Sequence, residues 1–287
     1  MQYLPPSSFG FDAGAAGSGR AAQARLAAEL AGGRTILRRQ HVGYPSHVTR
    51  GFYLDQARPD LLTLYLQSAS GGLYAGDRIA LDVDVGASAA FHLTTQASTV
   101  VHDGRGIGSM LRQRISVGAG GFCAITNDPC ILFPGAHLDL ATTAVVAEDA
   151  ILLLADGFAV HDPGSAGRSF AQFANSLRIM RPDGRVLLLD RGNIQGDELC
   201  RGALGTMAAA ASVTMIAPSD KWPAVTALQE AADRCGCLAG ASLAPNDAGI
   251  CLRLLAPDGG TLTRGLEAAF HVAGHAALGS GLARRRK

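Results

Sequence analysis

Aromatic residues are scarce: the 287 residues include one Trp, and Phe, Trp and Tyr together make up only 6%. A core must therefore be aliphatic, and 48% hydrophobic residues can fill one large core or two smaller ones. Net charge is almost absent at +1, so no global field draws the chain to nucleic acid or to a membrane. No run of 18 apolar residues occurs, and no membrane-spanning helix is expected. The opening MQYLPPSSFGFDAGAAGSGR lacks the basic segment and apolar core of a secretory signal. Pro is limited to 12 residues while Gly reaches 36, a balance that suits a fold with many tight turns.

Catalytic signatures are missing as well. There is no GxSxG elbow. His271 and His275 stand four apart on a predicted helix, but without the Glu of an HExxH motif they read as surface histidines. Gly71-Gly72-Leu73-Tyr74-Ala75-Gly76-Asp77 resembles a phosphate loop only in its glycines. Asp77 and Arg78 replace the Lys and hydroxyl that hold phosphate and Mg²⁺, and a strand follows instead of a helix, so nucleotide binding is rejected. Cys123, Cys130, Cys200, Cys235, Cys237 and Cys251 form no disulfide framework, which fits a reduced, cytoplasmic chain. Cys235-Gly-Cys237 has no second cluster and reads as ordinary thiols. Asp82 and Asp84 alternate along one strand and read as a solvated face.

What is present is β pattern. In IALDVDVG, Ile79, Leu81, Val83 and Val85 face one way and Ala80, Asp82 and Asp84 the other. The unit recurs as VDVGASAAFHLTTQ (83–96), ISVGAGGFCAITN (115–127) and VVAEDAILLLAD (145–156), with a weaker copy, built on a Pro-Asp-Gly hairpin turn, in LRIMRPDGRVLLLDRG (177–192). Each copy enters a small-residue turn and leaves on a more apolar strand that ends on a polar group. A period of about 30 residues predicts a mainly β, stacked β-hairpin or solenoid-like scaffold. Stacking in register would bring Gln96, Asn127, Asp156 and Arg191 to similar heights. Residues 1–20 read as a flexible lead-in, and 21–32 as a marginal helix or part of that lead-in. The scaffold spans about 34–200. A smaller α+β tail over about 205–280 carries two helices, near 222–236 and 261–277. Arg284 to Lys287 reads as a solvated basic tip.

GGLYAGDRIALDVDVG, LTTQAST and ILFPGAHLDLATTAVVAEDAILLLAD resemble the urease accessory protein UreD family, called UreH in some bacteria. Gly71, Gly72, Gly76, Asp77, Thr94, Thr95, Gln96 and Ala97 match its motifs, and the likeness runs from about Arg34 to about Leu278 within a single domain over 21–287. One departure is Gly167-Arg168-Ser169-Phe170, where the family usually carries an acidic residue in place of Arg168.

The resemblance implies a non-enzymatic maturation factor. Such a scaffold binds apo-urease subunits and a UreF-like helical partner, and through that partner a UreG-like GTPase. Transient nickel passes through it, with no tightly bound cofactor. On this basis Asp77, Thr94, Gln96, Asn127 and Asp156 are expected to line or border an internal channel, and Asp77 and Asp156 are the candidates to meet nickel. Gly71, Gly72 and Gly76 form the turn. Two alternatives stand beside it: an interaction module with no metal path, and a β-fold hydrolase using Asp77 and a histidine. With a mean hydropathy of +0.17, a chain clamped between partners is expected to be poorly soluble alone.

Overall fold

A computed structural model describes residues 19–201 and 206–285. The lead-in expected over 1–18, and Arg286 and Lys287 of the basic tip, lie outside the described residues. The first half forms β1 (Ala21–Ala31), β2 (Arg34–Val42), β3 (Ser46–Val48), β4 (Leu62–Ser68), β5 (Arg78–Val85), β6 (Ala90–Thr95), β7 (Val100–Val101), β8 (Ser109–Val117) and β9 (Phe122–Thr126). There follow β10 (Cys130–Leu132), β11 (His137–Val146), β12 (Ile151–Val160), β13 (Gln172–Met180), β14 (Val186–Gln195) and a short helix α1 (Gly196–Arg201). The C-terminal part holds β15 (Ala209–Ile216), α2 (Val225–Asp233), β16 (Leu238–Leu243), β17 (Gly249–Ala256) and α3 (Gly259–Leu278).

Two sheets face each other. The first runs β14-β13-β11-β8-β5-β1-β2, and the second β16-β17-β15-β12-β9-β6-β4-β3, with β10 and β7 beside β12. The repeat is a solenoid of coils. Each unit places its first strand in one sheet and its second in the other, and both pair in parallel with the next unit: β5 with β8 and β8 with β11, β6 with β9 and β9 with β12. The two strands of a unit therefore do not form a hairpin, because the opposite sheet supplies the crossover that parallel pairing needs. The turns between sheets also stack. Ser88 N donates to Ala119 O, Ala147 N to Val117 O, and Ile151 N to Gly121 O. Gly118 is required here, since a Cβ would lie 2.8 Å from Ala87 N of the coil below.

Two expectations are corrected. Residues 21–32 are not a helix but β1, inserted between β2 and β5. Ala22, Ala24, Leu26 and Ala28 alternate into the core, and their burial overrides the helix propensity of Ala. The fourth copy keeps its expected Pro-Asp-Gly hairpin but does not stack as a full coil. β13 continues the parallel stack, but the Pro182-Asp183-Gly184 turn, with Gly184 at φ 91, sends β14 back antiparallel in the same sheet. Arg191 consequently pairs with Ser176 and joins no row with Asp156.

Between the sheets lie two apolar clusters. One gathers Val83, Ile115 and Ile179 with Phe91, Leu93, Ile125 and Leu154. The other gathers Leu138, Leu140 and Phe173 with Phe158 and Leu132. A third apolar layer lies on the far face of the second sheet, where Leu228 of α2 and Leu262, Leu266, Ala269 and Phe270 of α3 cover Ala211, Val213, Leu252 and Leu254. β6, β9 and β12 are covered on both faces; β9 and most of β12 read as near-continuous apolar runs, while β6 satisfies its His92, Thr94 and Thr95 side chains by hydrogen bonds. Both tail helices stand near their expected places. Asp258 caps α3 by accepting from Thr261 N, and Gly279 closes it at φ 69.

Candidate functional site

The two inner apolar clusters are separated by a polar belt. On the second sheet the inward rank after Leu93, Ile125 and Leu154 is Thr95, Asn127 just past β9, and Asp156. On the facing sheet Gln113 of β8 pairs with Thr142 of β11, both buried, in the rank next to Ile115 and Ala144. Gln113 hydrogen-bonds the Asp156 carboxylate across the gap. Gln113 Oε1, Asn127 Oδ1 and Thr142 Oγ1 are buried and accept no hydrogen bond from the protein. A buried oxygen left unpaired costs on the order of 1–3 kcal/mol, so three in the ranks around one carboxylate form a polar surface that calls for a water or another ligand.

Electrostatics single out Asp156. Burial pushes its carboxyl up to about 6, and the Gln113 hydrogen bond only partly offsets this. The neighbouring thiol of Cys130 is pushed up to about 12, first by burial and then by the Asp156 charge. The belt thus offers one carboxylate that ionises near neutrality, neutral amide and hydroxyl oxygens, and one suppressed thiol. Among the described residues, no three His, Cys, Asp or Glu side chains gather into a metal-holding group.

Of the five channel candidates, the structure brings Asn127 and Asp156 into the belt. Thr94 points to the other face of β6 and donates to Thr126 O, beside His92. Gln96 is exposed past the end of β6. Asp77 lies at the start of β5, where its carboxylate accepts from Tyr74 N, Arg20 N and the Arg20 guanidinium. Burial raises the Asp77 carboxyl, but these donors outweigh it and hold the group below its usual range. Gly72 (φ 127) passes so close to the Val100 carbonyl that a Cβ would stand 2.3 Å from its oxygen, and Leu73 N donates to that carbonyl. The glycine turn is therefore a junction that ties β5 to Arg20 and β7.

Other singled-out residues find structural partners. Arg168 donates to Asp162 at 2.9 Å, and Asp162 also accepts from Gly164, Ala166 and Arg168 amides, so the basic residue closes its own loop. Cys235 and Cys237 donate to the carbonyls of Arg264 and Thr261. His271 pairs with Glu267 one helical turn away at 3.7 Å. The basic tip is corrected at Arg285. Its side chain is only 7% exposed, pairs with the fully buried Asp55, and donates from Nε to His92 Nδ1.

Gln113 and Thr142 were not anticipated. Their signal was readable: in SMLRQRISV, Gln113 shares the inward parity of Leu111 and Ile115, while Arg112 and Arg114 point out.

A family model described as UreD urease accessory protein matches residues 20–287, beginning at the arginine that holds Asp77. The chain belongs to the UreD family. Among curated relatives, Urease accessory protein UreD 3 of Bradyrhizobium sp. (strain ORS 278) is 67% identical over 272 residues, covering 95% of this chain and 97% of the relative. Urease accessory protein UreD 1 of Bradyrhizobium sp. (strain BTAi1 / ATCC BAA-1182) is 66% identical with the same coverage. Urease accessory protein UreD 1 of Methylorubrum populi is 45% identical over 277 residues, covering 94% of this chain and 92% of the relative. UreD membership thus takes in the glycine turn, the belt and the helical layer alike.

Proposed function

We propose that this chain serves urease maturation as a scaffold and nickel conduit, binding apo-urease subunits, a UreF-like helical protein and, through it, a UreG-like GTPase. Family membership supports the urease assignment. The observation that carries the conduit is the belt: Asp156 with the unpaired oxygens of Gln113, Asn127 and Thr142 inside an otherwise apolar sandwich. A hydrated divalent cation passes through protein where oxygen ligands bind weakly and in series, whereas a thiolate cluster traps it. Asp156 supplies the charge, the amide and hydroxyl oxygens the intermediate steps, and the high Cys130 pKa keeps a thiolate out of the path. No step in this role makes or breaks a covalent bond in the chain.

The test pairs assembly with delivery. Asp156→Leu is expected to co-purify with urease subunits and the helical partner as the parent does, while nickel-dependent urease activation falls several-fold. Asp77→Leu serves as a contrast, since it removes the anchor of the glycine turn and is expected to lower folding stability first. Normal activation with Asp156→Leu would leave an interaction module with no metal path.

A further inference from the structure

The belt does not end at Asp156. On the second sheet Asp156 pairs with Ser212 of β15, and Ser212 with Arg253 of β17. On the facing sheet the rank of Gln113 and Thr142 continues through Leu177 to Asp190 of β14. The two ranks meet at the rim of the sandwich, where Arg253 Nη2 and Asp190 Oδ2 form an ion pair at 2.5 Å. The neighbouring rank on the outer strands is polar too: Thr214, Cys251 and Ser242. At the other end the ranks run into Leu81, Ala24 and Leu66, which belong to or pack on an apolar cluster. Among the described residues, the polar row therefore reaches solvent at the β14–β17 rim.

We propose that the Arg253–Asp190 ion pair is the gate of this row. The inference rests on the reading that the belt conducts a hydrated cation. When the pair is formed, the guanidinium neutralises Asp190 and opposes a cation at the mouth by like charge. When Arg253 swings into solvent, Asp190 becomes the outermost carboxylate of the row, with Ser212 and Asp156 behind it. The side chains are 58% and 25% exposed, so the pair is weakly held, screened by salt, and able to open without disturbing either sheet.

The test uses the intact chain and no nickel. Cys130 lies opposite Phe158, in the rank next to Asp156 and close enough to feel its charge, while Cys123 is fully buried in the other apolar cluster. In a Cys251→Ser background, site-resolved labelling with methyl methanethiosulfonate at alkaline pH reports access to each thiol. Arg253→Ala and Asp190→Asn are each expected to speed Cys130 labelling about fivefold, the scale of one exposed ion pair, with Cys123 unchanged. Raising ionic strength should speed Cys130 in the Cys251→Ser parent and not in the gate variants. Unchanged Cys130 labelling in both variants overturns the gate. A parallel rise at Cys123 also overturns it, because the pair would then be clasping the fold. Neither outcome bears on nickel delivery through Asp156, which the activation assay tests separately.

Discussion

At the scale of single residues, Asp156 is held at a cost. Its carboxyl is raised to about 6 by burial, above the ordinary aspartate value that the unfolded chain restores. The folded protein therefore holds a proton that the unfolded chain has released between about pH 4 and pH 6, and stability falls as pH rises through that window. The loss is on the order of 3 kcal/mol and is complete above the folded pKa. Asp156→Asn should match the parent near pH 4 and exceed it in thermal midpoint at pH 8; a pH series of thermal melts checks this. The proposed conduit needs that charge at neutral pH. The same titration means that acidification below about pH 6 removes the Asp156 charge from the belt.

At the scale of elements, β1 decides how the solenoid is closed. It lies between β2 and β5, and its Leu26, 2% exposed, packs in the inner cluster with Val83. Arg20, immediately before it, anchors Asp77 at the head of β5. Deleting residues 1–33 would thus strip the strand that joins β2 to the sheet and leave the Asp77 carboxylate without its arginine. The expected result is loss of the cooperative unfolding transition in urea, read by circular dichroism, and any failure of that truncation to bind partners would report folding and not a docking tail. The helical layer is more local: α2 and α3 cover only the outer face of the second sheet, away from the belt.

At the scale of the whole molecule, the chain end is a structural clasp. Arg285, beyond α3, reaches across the second sheet to Asp55 and His92 and lies over the Phe270 ring. Burial lowers the Arg285 pKa, and the Asp55 charge beside it acts in the opposite direction. Arg285→Ala leaves a fully buried carboxylate without its cation, which is expected to cost about 3–5 kcal/mol. Denaturant titration checks the loss, and the double variant Arg285→Ala/Asp55→Asn should recover part of it. The clasp joins residues more than two hundred positions apart and ties the end of the chain to the loop before β4.

Much of this was legible in the sequence for a clear reason: β periodicity is local. The alternation in IALDVDVG, the turn at Pro182-Asp183-Gly184 and the apolar spacing of the two tail helices each need only neighbouring residues to be read. The coil period of about 30 residues was legible because stacked turns repeat their small residues. What the tertiary structure decided depends on which faces meet. AAQARLAAELA carries helix formers and became a strand only because an open sheet edge was there to bury its alternate residues. Gln96 and Asn127 look equivalent along the chain, yet one is exposed and the other has its oxygen buried in the belt. Gln113 and Asp156 are distant in sequence and meet only because the two strands of each coil lie in opposite sheets. The sequence by itself determined the repeat and the family; the polar row and its rim arose from register between strands, which no single strand encodes.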